Sequence, residues 1–267
     1  MQIPVERWYD AIFQRRSRRQ FNNKPVAPEV LTQLIDISKL LNKKISGAKV
    51  EIVNHSPDDV FKGAIGSYGK IKDAPAYVAF IGNIQDSYVQ EKVGYIGECF
   101  ILEATSMGLA TCWVGGLFRP DEVKRQITIT QNERVLAVSP LGYAPEQYSL
   151  QEKLMSSFAS GHKRKDMEVI CPQGFKTDWP AWVKSALVVG RLAPSAVNRQ
   201  PWRFSVDTDA IKISVDNLKD SHHISKRLDC GIAMIHIEIG ASHEGIRGQW
   251  EYLDQSDVAI FKVQKKI

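Results

Sequence analysis

Apolar residues recur at helical spacing in five parts of the chain. The segments that this pattern predicts as helices are 5–14, 28–42, 94–109, 182–192 and 227–246. Trp8, Ala11 and Ile12, for example, mark the apolar face of the first helix. The two long segments, 94–109 and 227–246, also contain several glycines and alanines, and this indicates that each helix packs closely against another helix.

Strand-length segments that alternate or run apolar lie between these helices. The predicted strands are 48–54, 74–82, 134–146 (which ends in a turn), 202–207, 211–216 and 258–263. The pattern weakens between the two parts of the chain, and residues 146–178 are predicted to form an extended connecting arm.

The second part of the chain repeats the first. Laid over each other without a gap, segments 94–113 and 231–250 match at four identical positions: Gly94 with Gly231, Ala104 with Ala241, Gly108 with Gly245 and Trp113 with Trp250. The order helix, strand, strand, long helix, strand is also the same. Chance similarity of two glycine-bearing helices is the alternative to duplication.

The predicted fold class is therefore α+β. It has two pseudo-equivalent halves, residues 1–145 and 179–267, joined by the arm at 146–178. Each half has an antiparallel-type sheet with helices. The two long central helices pair with each other, much as equivalent helices do at a symmetric dimer interface.

The composition is that of a globular protein: 267 residues, 43% hydrophobic and 24% charged. The net charge of +5 is concentrated in one cluster between Arg15 and Arg19 and another over residues 162–165. Such local clusters suit a phosphate-bearing ligand better than a long nucleic-acid track, although they also serve solubility. No interleaving of aromatic and basic residues indicates nucleic-acid binding.

Other classes of protein are disfavoured by missing patterns. The four cysteines form no Cys-x-x-Cys pair and the N-terminal residues have no signal-peptide pattern, so a cytoplasmic protein with reduced thiols is expected. No apolar run approaches the roughly 18–20 residues of a membrane span. His236 and His243 share a helix face but lack a recognisable ligand frame, so they are predicted to be structural and no metal is expected.

Two unusual polar segments resemble a known family. "AIFQRRSRRQFNNKPV" (11–26) and "LAPSAVNRQPWRF" (192–204) resemble the two signature segments of the flavin-dependent nitroreductase superfamily. "GLATCWVGG" (108–116), "LGYAPE" (141–146) and "GHKRKDMEVI" (161–170) resemble its later segments.

The resemblance implies an FMN site shared between two halves. In that family a homodimer holds FMN at the subunit interface, with the Arg-Ser motif from one subunit and the Pro-Ser loop from the other. Here the first half has the Arg-Ser motif but reads "LLNKKISGAKV" (40–50) where the loop should lie, and the second half has only the loop. The chain therefore resembles the fused, single-chain branch, a monomer acting as a pseudo-dimer with one FMN.

The resemblance also implies the site residues. Those expected to bind the cofactor are Arg15, Arg16, Ser17, Arg19, Lys163, Arg164, Pro194, Ser195, Asn198, Gln200, Gly115 and Gly116. The arginines suit the phosphate, the two side-chain amides suit the edge of the flavin pyrimidine ring, and the two glycines allow close approach of the backbone. No catalytic side chain is identified, because the flavin itself carries the electrons.

The implied function is that of an FMN-dependent oxidoreductase. It would pass a hydride from NAD(P)H through the flavin to a small-molecule acceptor, such as a nitroaromatic or a quinone. The alternative is a flavin-binding carrier or sensor with little turnover.

Overall fold

A computed structural model of the protein describes residues 3–55, 57–62, 71–147, 163–219 and 224–264. The elements of the first part are α1 (Val5–Gln14), α2 (Pro28–Lys44), β1 (Ala48–Val53), α3 (Asp58–Phe61), β2 (Ala76–Asn83), α4 (Val89–Ser106), β3 (Ala110–Thr111), α5 (Pro120–Gln126) and β4 (Glu133–Gly142). Those of the second part are α6 (Met167–Ile170), α7 (Ala181–Arg191), a 3-10 turn (Ala196–Asn198), β5 (Trp202–Asp207), β6 (Ala210–Val215), α8 (Lys226–His243), β7 (Gly248–Tyr252) and β8 (Asp257–Val263).

The strands form two antiparallel sheets with the same strand order. The first sheet runs β1-β2-β4-β3 and the second runs β5-β6-β8-β7. Each sheet also has one register irregularity between its two inner strands, after Phe80 in β2 and after Ile213 in β6. The predicted α+β class is confirmed. The duplication and the boundaries of the two halves stay predictions.

The long helices α4 and α8 pack directly against each other, because two glycines let their backbones approach. A Cβ on Gly94 would overlap the carbonyl oxygen of Leu228, and a Cβ on Gly231 would overlap the carbonyl oxygen of Glu91. The contact is reciprocal, since the alignment that pairs Gly94 with Gly231 also pairs Glu91 with Leu228. Both helices are apolar and buried along most of their length, so they form the centre of the core.

Helix α1 lies against this central pair. Its buried face is formed by Trp8, Ala11 and Ile12, as its apolar spacing predicts. Tyr9, the residue after Trp8, stacks on His243 of α8, with ring centroids 3.9 Å apart. Because α1 is fixed against α4 and α8, Arg15, which directly follows its last turn, is brought into the interior.

Several elements differ from the prediction. Helix α4 begins at Val89 rather than at residue 94, because Glu91 is buried against Arg227 of α8 and does not interrupt the packed face. The predicted arm contains the short helix α6. Residues 148–162 of the arm lie outside the described part of the chain. The short strands β3 and β7 and helix α5 were not predicted.

In the part of the chain that the structure describes, no helix combines the length and the apolar character that crossing a membrane requires.

Candidate functional site

The arginine motif begins where α1 ends. The backbone N–H of Arg15 donates to the carbonyl of Ala11 at 2.8 Å and closes the last turn. The side chain of Arg15 then turns inward, where only 8% of the residue is exposed. Its Nε atom lies 4.0 Å from Oε1 of Glu98, a fully buried carboxylate on α4. The first guanidinium of the motif is therefore an interior group.

The neighbouring motif residues follow the edge of the first sheet. Ser17 forms a parallel bridge with Thr111 of β3, and the backbone N–H of Arg18 donates to the Thr111 carbonyl at 2.9 Å. The side chain of Arg18 leads away from Arg15 and donates through Nη2 to the carbonyl of Pro145 at 2.8 Å. The side chains of Arg15 and Arg18 are therefore directed to different parts of the structure.

The basic arm lies against the loop that follows α7. Arg164 donates through Nη1 to Oδ1 of Asn198 at 2.6 Å and through Nη2 to the carbonyl of Leu192 at 2.9 Å. Arg191, at the end of α7, donates through Nε to the carbonyl of Lys165 at 2.7 Å. These contacts hold the arm, at Arg164 and Lys165, against the Pro-Ser loop.

The two side-chain amides of the loop are engaged with the same arm. Asn198 donates through Nδ2 to the carbonyl of Lys163 at 2.9 Å, and Gln200 donates through Nε2 to that carbonyl at 3.1 Å. Oε1 of Gln200 accepts the backbone N–H of Lys165 at 2.8 Å. The structure therefore places both amides where they fix the arm, and their predicted contact with a flavin ring stays a prediction.

The loop itself has a strained backbone. Val197, Asn198 and Gln200 have φ values of 50°, 54° and 46°. A positive φ is uncommon for residues other than glycine, and a β-branched valine there is an outlier. Ser195 supports the loop from inside, since its Oγ accepts the backbone N–H of Gln200 at 2.9 Å. Clustered backbone strain of this kind is typical of functional sites.

A buried carboxylate ties this loop to the start of α8. Asp229 accepts the backbone N–H of Ala196 at 3.0 Å and Nε of Arg199 at 2.6 Å. Arg199 also donates through Nη2 to the carbonyl of Ile224 at 3.0 Å. A Cβ on Gly115 would come within 3.1 Å of the Ile224 side chain, so the glycine segment of the first half reaches the loop side of the site.

The charges of four arginines from these segments act on one another. Burial, and after it the positive charges of Arg15, Arg16 and Arg191 in that order, together lower the pKa of Arg164 to about 10. The motif near residue 15 and the arm near residue 164 are therefore close enough for their charges to repel each other. An anion between them would relieve that repulsion.

The structure brings together part of the predicted set. The charges of Arg15 and Arg16 act on Arg164; Pro194 is buried; and Lys163 is exposed and contributes its carbonyl to the loop contacts. The remaining predicted residues lie further along their segments: Arg19 accepts the N–H of Lys72 through its carbonyl, and Gly116 is exposed. Their roles toward a ligand stay predictions. His162 lies outside the described residues.

Sequence reasoning missed several polar groups of the site. Arg191 joins the guanidinium cluster, Asp229 holds the loop, and Glu98 contacts Arg15. Glu98 also accepts Nε1 of Trp113 at 2.7 Å and lies 3.1 Å from Nε2 of His236, which is fully buried. Charged residues inside the apolar stretches of α4 and α8 were the available signal.

An open depression of about 280 Å³ lies beside the motif, with Arg16, Arg18, Thr105 and Pro145 among its lining residues. It meets the guanidinium cluster only at Arg16, so we place the site by the convergence of charges and segments and not by this depression. Among the described residues, no group of three or more histidine, cysteine or acidic side chains is arranged to hold a metal.

Fold and site together define an α+β protein with two like-ordered antiparallel sheets, in which several arginine side chains lie beside a strained polar loop. The family model described as "Putative TM nitroreductase" matches residues 7–241. The chain therefore belongs to this nitroreductase family, and in general terms it is an oxidoreductase.

A solved structure shares this fold. A protein from Thermotoga maritima, described as a "putative nitroreductase", is 18% identical and superposes with a TM-score of 0.62, covering 96% of this chain and 93% of its own. A nitroreductase family protein from Clostridium novyi is 22% identical, with a TM-score of 0.44 over 55% of this chain and 87% of its own. An FMN-dependent nitroreductase from Clostridium difficile is 17% identical, with a TM-score of 0.44 over 52% of this chain and 88% of its own. No curated protein matches the chain.

Proposed function

We propose that the protein is an FMN-dependent oxidoreductase that passes a hydride from NAD(P)H through the flavin to a nitroaromatic or quinone-like acceptor. The observation that carries the proposal is the convergence of Arg15, Arg164 and the loop over 194–200, which lie far apart in sequence. This convergence suits a ligand that combines an anionic end with a planar polar ring.

The guanidinium cluster fits the phosphate of FMN. Guanidinium groups bind phosphate oxygens through paired, charge-assisted hydrogen bonds. Arg164 is held at the cluster despite burial and three like charges, and these lower its pKa to about 10. A phosphate dianion supplies the charge that would offset this repulsion. Arg15, Arg16 and Arg164 are therefore the proposed phosphate ligands, with Ser17 beside them.

The other groups suit the remaining parts of the cofactor. Gly115 has no side chain, and a Cβ there would crowd Ile224, so the glycine lets its segment lie close to the residues beside the loop. The loop over 194–200 presents backbone groups in an unusual conformation that Ser195 and Asp229 fix. A bound flavin supplies the hydride chemistry, and the chain binds it, orients it and sets its polar surroundings.

The protein is proposed to work as a monomer acting as a pseudo-dimer, in the cytoplasm. The reciprocal contact of Gly94 and Gly231 supports the pseudo-dimer, because it lies within one chain where a dimer would place its two equivalent helices. Sedimentation velocity over a range of concentrations is expected to show a single monomeric species, and a concentration-dependent dimer would contradict this part of the proposal.

The test is an absorption spectrum of the purified protein, with the released flavin counted per chain. We expect one FMN per chain, and loss of the flavin in the double variant Arg15→Ala, Arg164→Ala. Arg18→Ala is the matched control, since that neighbouring side chain is directed to the carbonyl of Pro145 and the variant should retain the flavin. Two flavins per chain, or an unaltered spectrum in the double variant, would contradict the site.

Turnover needs its own measurement. The flavin of the holoprotein is reduced with NADH or NADPH and then mixed with a nitroaromatic or a quinone. Reoxidation faster than that of free FMN is expected. A bound flavin that no acceptor reoxidises faster than free FMN would refute the oxidoreductase activity while leaving the binding site intact.

A further inference from the structure

Glu98 is a fully buried carboxylate that the proposed chemistry does not use. It lies on α4, a helix that is apolar over most of its buried surface. Three side chains surround it: Nε1 of Trp113 at 2.7 Å, Nε2 of His236 at 3.1 Å and Nε of Arg15 at 4.0 Å. Burying a charge is costly unless the charge has polar partners, and Glu98 has three of them.

His236 fixes the carboxylate from the second half of the chain. Its Nδ1 lies 3.0 Å from the carbonyl oxygen of Val189 on α7, and a carbonyl can only accept, so Nδ1 carries a proton. Its Nε2 faces the carboxylate of Glu98, so a proton is shared between that nitrogen and Oε1. Glu98 is therefore joined through His236 to the helix that leads into the Pro-Ser loop.

The contact of Glu98 with Arg15 involves one particular part of the guanidinium group. Nε is the atom of Arg15 that approaches Oε1 of Glu98, and it is the nitrogen nearest the aliphatic stem. Holding a guanidinium at Nε sets the direction of its two terminal amino groups. The charge of Arg15 is also near enough to Arg164 to lower that residue's pKa, so Arg15 belongs to the arginine cluster.

We propose that Glu98 is a positioning residue that orients Arg15 toward the phosphate end of the ligand, with Trp113 and His236 holding the carboxylate in place. This inference rests on the proposed function, because it concerns how the chain recognises the phosphate of FMN. It predicts that Glu98 matters for phosphate recognition and not for binding of the flavin ring.

A second buried carboxylate on the same helix provides a matched control. Glu103, 3% exposed, accepts Nε1 of Trp8 at 2.5 Å and is paired with Nη2 of Arg7 at 2.8 Å. Glu98 and Glu103 therefore each pair with one indole and one guanidinium. Only Glu98 contacts a member of the arginine cluster.

The test compares FMN with riboflavin, which has the same ring and no phosphate. Apoprotein is titrated with each flavin, following the quenching of flavin fluorescence, for the wild type, Glu98→Gln and Glu103→Gln. In Glu98→Gln the affinity for FMN should fall about tenfold, which corresponds to the loss of one charge-assisted hydrogen bond between Arg15 and the phosphate. The affinity for riboflavin should be unchanged. Glu103→Gln should leave both affinities unchanged even where it lowers the melting temperature.

An equal loss of affinity for both flavins in Glu98→Gln, or no loss for either, would overturn the positioning role. Glu98→Asp covers the case in which Glu98→Gln does not fold, because it keeps the charge but withdraws it by one methylene from Nε of Arg15. It should show the same selective loss for FMN, and an unaltered preference would overturn the inference. A wild-type protein that binds FMN no better than riboflavin would instead refute the proposed phosphate site.

Discussion

Replacing Arg164 with methionine separates what this residue does for folding from what it does for binding. In the folded protein its pKa is lowered to about 10, first by burial and then by three neighbouring arginines. The pKa of an arginine lies above 7 in the folded and in the unfolded protein, so the side chain is charged at pH 7 in both. The cost of holding the charge is therefore fully present at pH 7 and is lost only as the pH rises above about 10.

The size of the effect follows from these values. One pKa unit corresponds to about 1.4 kcal/mol, so the charge destabilises the folded apoprotein by about 3 kcal/mol. Methionine fills a similar volume without the charge, but it loses the hydrogen bonds to Asn198 and Leu192, worth about 1 kcal/mol each. Arg164→Met should therefore leave the apoprotein as stable as the wild type, or about 1 kcal/mol more stable.

Binding should respond in the opposite direction. Loss of a guanidinium from the proposed phosphate site should weaken the affinity for FMN by roughly ten- to a hundredfold, the range expected for a hydrogen bond to a charged group. Added salt should stabilise the wild-type apoprotein more than the variant, because it screens the repulsion among the arginines.

The assay is urea unfolding at pH 7, followed by tryptophan fluorescence with and without FMN. Arg7→Met is the control, since Arg7 pairs with the buried carboxylate of Glu103. It should destabilise the protein by about 1 to 3 kcal/mol without affecting FMN. A loss of more than about 2 kcal/mol in the Arg164→Met apoprotein, together with an unaltered FMN affinity, would refute the reasoning.

Two further predictions concern the central helices. Gly94→Ala and Gly231→Ala should each destabilise the protein by about 2 kcal/mol in urea unfolding, because the overlap outweighs the gain of about 1 kcal/mol in helix propensity. One separation of the helices relieves both overlaps, so the double variant should lose less than the sum, and strict additivity would contradict the mutual contact. Burial raises the pKa of Glu238, so the folded protein binds a proton more tightly than the unfolded chain and stability falls as the pH rises above about 4.5. Glu238→Gln should remove this part of the pH dependence, whereas the exposed-residue control Glu251→Gln should retain it. Identical profiles of stability against pH for the wild type and Glu238→Gln would contradict this role of Glu238.

Much of the fold follows from the sequence because apolar patterning and local geometry agree. The long helices are predicted by apolar runs that carry glycine, and the structure places Gly94 and Gly231 at the contact. The short edge strands are not predicted, since β7 is only half-buried and alternates weakly and β3 has two residues. Helix α5 buries one side chain, Val123, and so has almost no apolar pattern to detect.

The site could be predicted only where its residues stand together in the chain. The arginine motif and the Pro-Ser loop are continuous segments with unusual composition, and the structure brings them close. Glu98, His236 and Asp229 were missed as site residues because a buried charge and a surface charge look the same in a sequence. Their partners come from elements that are distant in the sequence. The sequence alone therefore does not show which of these polar side chains is buried and paired.

Helices α4 and α8 pack against each other within one chain, and this affects how substitutions can accumulate in the protein. In a homodimer every substitution appears twice, once on each side of the symmetry axis, so an improvement in one active site is bound to whatever the same residue does in its copy. Here each of the two facing helices is encoded separately. A change in the arm near Arg164 is therefore free of any mirrored cost in the other half. The tether also keeps both sides together at any dilution, because their effective concentration is set by the covalent chain and not by how much protein the cell makes.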